Sequence, residues 1–253
     1  MEVAELATIP IWLGVNESTS WAIGERHRTV RSLSQICKAN LVRCPRAMNE
    51  FVLTSFVFAA GLAAGATLDL LLLRTLFAPP FRIWPVPEPG SWQSPAFWTL
   101  FRGGMIATFA VALLDWNSAG LLDASRYLIG LPLFLVGFGL TVCGYSNLGL
   151  GNTYCGADGL VRHGLYRFSR NPQYASSILG LIGLAICANS WFAVPLAAFM
   201  SGAYVLMALT EEAWLEQRYG APYRDYCART ARFIDVPELI ARFERKRPSR
   251  QPG

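Results

Sequence analysis

The sequence predicts an all-α protein that crosses a membrane several times. Residues of the AVILMFWYC set make up 53% of the 253 residues and charged residues only 15%, whereas soluble domains carry about 25% charged residues. The mean hydropathy is +0.32. Apolar stretches with at most one charged residue recur at lengths that suit a hydrocarbon core of about 30 Å. We therefore expect a polytopic bundle of about five transmembrane helices, with a C-terminal helical hairpin.

Residues 1–47 are expected to form an N-terminal extension, separate from an integral-membrane domain over residues 48–253. The extension is polar and without clear periodicity, and no apolar core of about 7–15 residues marks a secretory signal. Its basic side chains favour the cytoplasmic side, whereas the spans place Met48 on the opposite side. Three interpretations stay open: a disordered extension, one that lies on the membrane surface, or a gene-model artefact before a true start at Met48.

Three apolar segments precede the central polar stretch. They run over Phe51–Leu73, Phe97–Leu114 and Tyr127–Tyr145, and each is long enough to be a membrane span. The first carries a single charge, that of Asp69. Tryptophans in and beside the loop between the first two spans suit an interfacial aromatic belt.

Two shorter apolar pieces follow the polar stretch, over Pro172–Ala188 and Trp191–Leu209. The intervening Ala188–Ser190 has the composition of a tight turn. Because neither piece carries a charge, the pair predicts a helical hairpin in the bilayer. Beyond it, Gly220 predicts the end of an amphipathic helix and Pro222 the start of another.

The distribution of charge predicts the orientation and excludes some partners. Arginines cluster beside the spans, over 162–170 and in the C-terminal tail, which is typical of the cytoplasmic side and of anionic lipid. No nucleic-acid-binding motif accompanies them. No cysteine pair has the C-x-x-C spacing, and His27 and His163 lie far apart, so we expect no metal site.

The polar stretch "YRFSRNPQY", Tyr166 to Tyr174, is the candidate site. Asn171 is a favoured N-cap and Pro172 suits the first helical position. Arg170 is then expected at the positive end of a membrane helix, where a carboxylate or phosphate ligand is favoured. The alternative interpretation is simple capping beside an interfacial arginine.

Glu211 and Glu212 end the hairpin, which returns them to the side of Arg170. One carboxylate can pair with Arg170 and the other can bind a cationic ligand group. Alternatively both acids are solvated at an exposed helix end, although ionisable groups at a membrane boundary tend to be functional. Three following tyrosines can line a pocket for an aromatic heterocycle or form an interfacial belt: Tyr219, Tyr223 and Tyr226.

Taken together, "GLYRFSRNPQY", the apolar hairpin and "EE…YG..Y..Y" resemble the integral-membrane methyltransferases, which comprise isoprenylcysteine carboxyl methyltransferases and phospholipid methyltransferases. The family signature is Arg-His-Pro-x-Tyr, a hydrophobic hairpin and Glu-Glu. It maps onto Arg170 to Tyr174 and onto Glu211 and Glu212. The resemblance covers Leu160 to Ile234, and the first three spans match only in being apolar.

The resemblance implies an integral-membrane methyltransferase that uses S-adenosylmethionine, bound on the cytoplasmic side by residues within about 146–234. Its acceptor would be lipophilic, such as an isoprenylcysteine carboxylate or a phospholipid amine. The implied catalytic residues are Arg170, Asn171 and Glu212. The implied cofactor-binding residues are Leu160, Val161, Gly164, Tyr166, Asn171, Tyr174, Glu211 and Glu212.

Asn171 departs from the family signature, which has histidine there. Asparagine forms hydrogen bonds but does not titrate, so binding can persist while the chemistry differs. Two alternatives therefore remain. One is a non-catalytic membrane scaffold whose degenerate site binds lipid. The other is an NADPH enzyme similar to the sterol reductases, which we expect to need more basic side chains.

Overall fold

The computed structural model describes residues 20–88, 90–149 and 159–234, and residues 20–47 by their backbone alone. The chain divides into two units, residues 1–52 and residues 53–253. Residues 1–19 of the expected N-terminal extension lie outside the described residues, so the domain boundary at residue 48 stays a prediction. The candidate site lies in the second unit.

Within the described residues the chain forms six α-helices, one short 3₁₀ helix and no strand. The α-helices are α1 (Ser20–Phe77), α2 (Gln93–Leu114), α3 (Arg126–Leu148), α4 (Pro172–Ala188), α5 (Ala193–Tyr219) and α6 (Ala221–Arg229), and the 3₁₀ helix is Gly164–Arg167.

The helices confirm the prediction of an all-α polytopic membrane protein. Four described helices are long and apolar enough to cross a membrane, namely Met48–Phe77 within α1, α2, α3 and α5. The remaining predicted span is α4, which is apolar but has only 17 residues. Large apolar side chains on the outer faces, such as Leu128 at 79% exposure, suit contact with lipid.

The hairpin begins where the sequence predicts and extends further than predicted. Helix α4 starts at Pro172, with Asn171 in the N-cap position. Helix α5 begins at Ala193 and passes through the two glutamates to Tyr219, because glutamate is a good helix former. It ends at Gly220, whose φ of 59° is easily adopted by glycine.

Helices α3 and α4 pack against each other through glycines that recur every seven residues along α3. A side-chain carbon added at Gly144 would lie 2.6 Å from Gln173 Cγ, and one at Gly137 would lie 2.3 Å from the backbone nitrogen of Gly180. At Gly130 it would lie 2.7 Å from Cys187 Sγ. Close approach of backbones at small residues is typical of membrane helix pairs. The helices are therefore antiparallel, and the contact of Gly144 with Gln173 positions the first turn of α4.

Hydrogen bonds fix the turn of the hairpin to the loop between α2 and α3. The backbone N–H of Asn117 donates to the carbonyl of Ala188 at 2.7 Å. The buried Arg126 guanidinium donates to Asn117 Oδ1 at 2.6 Å and to the Cys187 carbonyl at 3.1 Å. A buried guanidinium needs such acceptors. This end of the bundle is opposite the end at which α4 begins.

We expect Gly137→Ala to lower the free energy of unfolding by about 1–3 kcal/mol, because the added carbon overlaps the backbone of α4. Gly139→Ala is the matched control, since no atom lies within 4 Å of the position of its added carbon. That control should be neutral or slightly stabilising, because alanine favours helix. Thermal unfolding in detergent measures both, and equal stability of the two variants would contradict the packing.

Candidate active site

A cavity lies at the end of the bundle where α4 begins and α5 continues past the hairpin. Ten of the residues that the sequence singled out line it together: Leu160, Val161, Tyr166, Arg170, Asn171, Tyr174, Glu211, Tyr219, Tyr223 and Tyr226. Gly164 and Glu212 are not among its lining residues. Gly164 instead adopts a φ of 61° against the side chain of Asn147.

The cavity also has aromatic walls that the sequence did not predict. Trp84 comes from the loop between α1 and α2, Trp98 and Phe101 from α2, and Tyr204 from α5. The sequence assigned the tryptophans of this region to an interfacial belt. No short-range pattern could have found Trp84, because it is 127 residues from its partner Glu211.

Glu211 faces this cavity and is held by two donors. The Tyr174 hydroxyl donates to Glu211 Oε2 at 2.5 Å, and Trp84 Nε1 donates to the same oxygen at 3.4 Å. The Trp84 ring stacks on Phe97, with the ring centroids 4.4 Å apart. Both described contacts use one carboxylate oxygen, which leaves Oε1 for a ligand.

Glu212 points away from the cavity, because consecutive helical residues diverge by roughly 100°. Its carboxylate accepts hydrogen bonds from Arg232 at 3.0–3.1 Å and forms an ion pair with Arg170 at 3.5 Å. Asn171 Nδ2 donates to Glu212 Oε1 at 3.1 Å. The Glu212 side chain is only 11% exposed, so it is not the solvated acid of the alternative interpretation. We call Glu212, Arg170, Asn171 and Arg232 the Glu212 clasp.

The segment after α6 passes across the start of α4 and accepts hydrogen bonds from the two residues that precede this helix. The N–H of Arg170 donates to the Ala231 carbonyl at 2.9 Å, and the N–H of Asn171 to the Arg232 carbonyl at 3.2 Å. Asn171 Nδ2 also donates to the Arg232 carbonyl, and no side-chain capping bond forms. These two N–H groups belong to the residues just before the helix and are not available to an anion. The side chain of Arg170 is the cationic group that this end of α4 contributes to the cavity wall.

Three polar atoms of the cavity wall are buried without a hydrogen-bond partner in the described part of the chain. They are Arg170 Nε, Gln173 Nε2 and the hydroxyl of Tyr223. Buried polar groups are normally hydrogen-bonded, and leaving one unpaired costs free energy. Three of the residues that line this one cavity thus carry an unpaired polar atom.

Tyr226 fixes the 3₁₀ helix to α6. Its hydroxyl donates to the Tyr166 carbonyl at 2.6 Å. Burial raises the pKa of Tyr226 and, with the nearby charge of Glu212, that of Tyr223. Burial likewise raises the pKa of Tyr166. All three phenols are therefore neutral at physiological pH, and each retains its O–H donor.

The described part of the cavity wall contains no histidine and no cluster of metal-ligating side chains. Among the described residues no three His, Cys, Asp or Glu side chains come together as metal ligands. His163, the nearest histidine to Asn171 in the sequence, is exposed and is not part of the cavity wall. In the described wall, the carboxylate of Glu211 and the guanidinium of Arg170 are the charged groups.

The family comparison agrees with the resemblance that the motifs predicted. Residues 125–222 match the model of the phospholipid methyltransferase family, which is part of the isoprenylcysteine and phospholipid methyltransferase superfamily. The matched segment contains α3, the polar stretch and the whole hairpin, and it supports a membrane methyltransferase in general. Comparison with the curated proteins and with the solved structures found no significant match.

We expect Glu212→Gln to lower the free energy of unfolding by about 1–3 kcal/mol, because it leaves the mostly buried Arg170 without its counter-charge. Glu216→Gln is the matched control one turn further along α5. Its ion pair with Arg224 is long, at 3.8 Å, and both side chains are more than half exposed, so we expect a change below about 0.5 kcal/mol. Denaturant unfolding in detergent compares them, and similar losses in both would contradict the clasp.

Because the pKa of Tyr226 is raised, the free energy of unfolding should fall as the pH becomes alkaline. The contribution of Tyr226 is fully present below the unfolded tyrosine pKa of about 10 and is lost as pH rises towards the folded value. We therefore expect wild type to exceed Tyr226→Phe in stability at pH 8, and the gap to narrow between pH 9 and 11. Thermal unfolding across this range measures the gap. A gap that stays constant with pH would show that burial does not perturb this phenol.

Proposed function

We propose that the protein is a membrane methyltransferase that transfers a methyl group from S-adenosylmethionine to a lipophilic acceptor, such as an isoprenylcysteine carboxylate or a phospholipid amine. The observation that carries the proposal is the meeting of unpaired buried donors and one carboxylate in a single cavity, in a chain of which residues 125–222 match a methyltransferase family. The cavity offers complementary partners for both charges of an amino-acid group.

The wall residues fit the amino-acid end of the cofactor. Arg170 Nε and the Tyr223 hydroxyl are donors without partners, and together they suit a carboxylate. Glu211 suits the ammonium group through its remaining oxygen. The rings of Tyr174 and Tyr204, with centroids 5.8 Å apart, supply faces that attract a cation such as a sulfonium.

When bound, S-adenosylmethionine supplies an electrophilic methyl group, and the bond between that carbon and sulfur breaks as the bond to the acceptor forms. The residues of this chain align the reactants and exclude water. Trp84 and Phe101 make the wall apolar on the side of α2, which suits an acceptor that enters from the bilayer. A carboxylate acceptor needs no proton removed, whereas an amine or phenol must lose one.

The three residues implied as catalytic have distinguishable roles in this proposal. Arg170 binds the carboxylate of the cofactor, while Glu212 fixes Arg170 in place. Asn171 donates to Glu212 and to the Arg232 carbonyl, so it acts as a positioning residue and not as a base. Replacement of the family's histidine by asparagine is then compatible with cofactor binding. We place this end of the bundle on the cytoplasmic side, as the distribution of arginines predicts.

We expect purified protein to bind S-adenosylhomocysteine. Glu211→Gln removes the charge that pairs with the ammonium group of the ligand, and Tyr174→Phe removes the hydroxyl that holds Glu211. Each substitution should therefore weaken binding by about tenfold or more. Calorimetry in detergent measures affinity, and Glu216→Gln serves as the control. Labelled methyl groups should also pass to a lipid extract of the native membrane. Unchanged affinity in both variants would reject the site, and absence of both binding and transfer would favour the non-catalytic scaffold.

A further inference from the structure

Gln173 is the unpaired buried group of the cavity that the amino-acid end of the cofactor does not use. It stands at the second position of α4 and is 6% exposed. Its Nε2 is buried and has no hydrogen-bond partner among the described residues. Gln173 is also one of the residues that line the cavity. An unpaired buried group of this kind lowers the stability of the folded protein unless a ligand pairs with it.

The packing of α3 on α4 determines where the amide of Gln173 lies. Gln173 Cγ occupies the space over Gly144, where an added side-chain carbon would lie only 2.6 Å away. Tyr145 and Leu148 of the same helix line the cavity. Gln173 therefore belongs to the α3 side of the cavity, whereas Arg170 contacts Glu212 of α5 and Cys227 of α6.

The walls on the α3 side suit a flat, largely apolar ring. Leu148, Leu160 and Val161 contribute aliphatic side chains, and Tyr145 and Tyr166 contribute aromatic rings. A primary amide presents a donor and an acceptor side by side, and it forms paired hydrogen bonds with the amino group and the adjacent ring nitrogen of adenine. Among the side chains of the described wall on this side, Gln173 carries the primary amide.

We propose that Gln173 is the specificity-determining residue for the adenine ring of the cofactor. The inference rests on the proposed function and adds a division of the cavity into two halves. Arg170, Tyr223 and Glu211 bind the amino-acid end, and Gln173 reads the base. Gln173, the variable position of the family signature, then has a recognition role of its own towards the adenine ring.

Two ligands separate the halves in calorimetry on the full-length protein in detergent. S-adenosylhomocysteine has both ends, and 5′-methylthioadenosine has the adenine but lacks the amino-acid group. Gln173→Met keeps the carbon that packs over Gly144 and removes the amide, and Gln173→Glu keeps the shape and replaces the donor by an acceptor. Tyr223→Phe is the variant of the other half, and Gln217→Ala, at an exposed position of α5, is the control.

We expect Gln173→Met and Gln173→Glu each to weaken the binding of both ligands by a similar factor of about ten. Tyr223→Phe should weaken S-adenosylhomocysteine and leave 5′-methylthioadenosine unchanged. If Gln173→Met and Gln173→Glu leave the affinity for 5′-methylthioadenosine at the wild-type value, adenine is not read by Gln173, while the proposed function stands. If wild type binds neither ligand, the proposed function fails and this inference fails with it.

Discussion

The Glu212 clasp is the interaction on which the site depends. It joins three parts of the chain that are distant in sequence: the start of α4, the middle of α5 and the segment after α6. The guanidinium groups of Arg170 and Arg232 flank one nearly buried carboxylate, and Asn171 adds a hydrogen bond to it. A buried carboxylate is stable only when its charge and its oxygens are paired. Without the clasp, Arg170 would lack both a counter-charge and a fixed direction towards the cavity.

Helical geometry gives the two adjacent acids different tasks. Because neighbouring residues of α5 point in directions about 100° apart, Glu211 reaches the cavity while Glu212 reaches the arginines. Glu211 is held by Tyr174 from α4 and by Trp84 from the loop before α2, so its direction is fixed by two other elements. The two adjacent glutamates thus take different positions, one at the cavity wall and the other between two arginines.

Small residues between α3 and α4 connect the fold to the function. The glycines of α3 allow α4 to approach so closely that Gly137 faces the backbone of Gly180. The same approach continues to Gly144, where the space left by the missing side chain is filled by Gln173. Membrane helices gain little from the hydrophobic effect in associating with each other, so close packing of this kind has to supply the specificity. The position of Gln173 at the cavity wall therefore depends on the close packing of α3 against α4.

The sequence by itself determined the all-α membrane class, the bounds of α4 and the meeting of Arg170, Tyr174 and the two glutamates. Hydrophobic length, Asn-Pro chemistry and the return of a hairpin are local or nearly local properties, and the family motif named the residues. The tertiary structure alone decided which glutamate faces the cavity, that Ala231 and Arg232 occupy the N–H groups before α4, and that Trp84 reaches Glu211. These outcomes depend on contacts between elements far apart in the chain, on which local propensity and periodicity have no bearing. Asn171 shows the difference most clearly, because the sequence predicted a helix cap and the fold instead directs its side chain to Glu212 and Arg232.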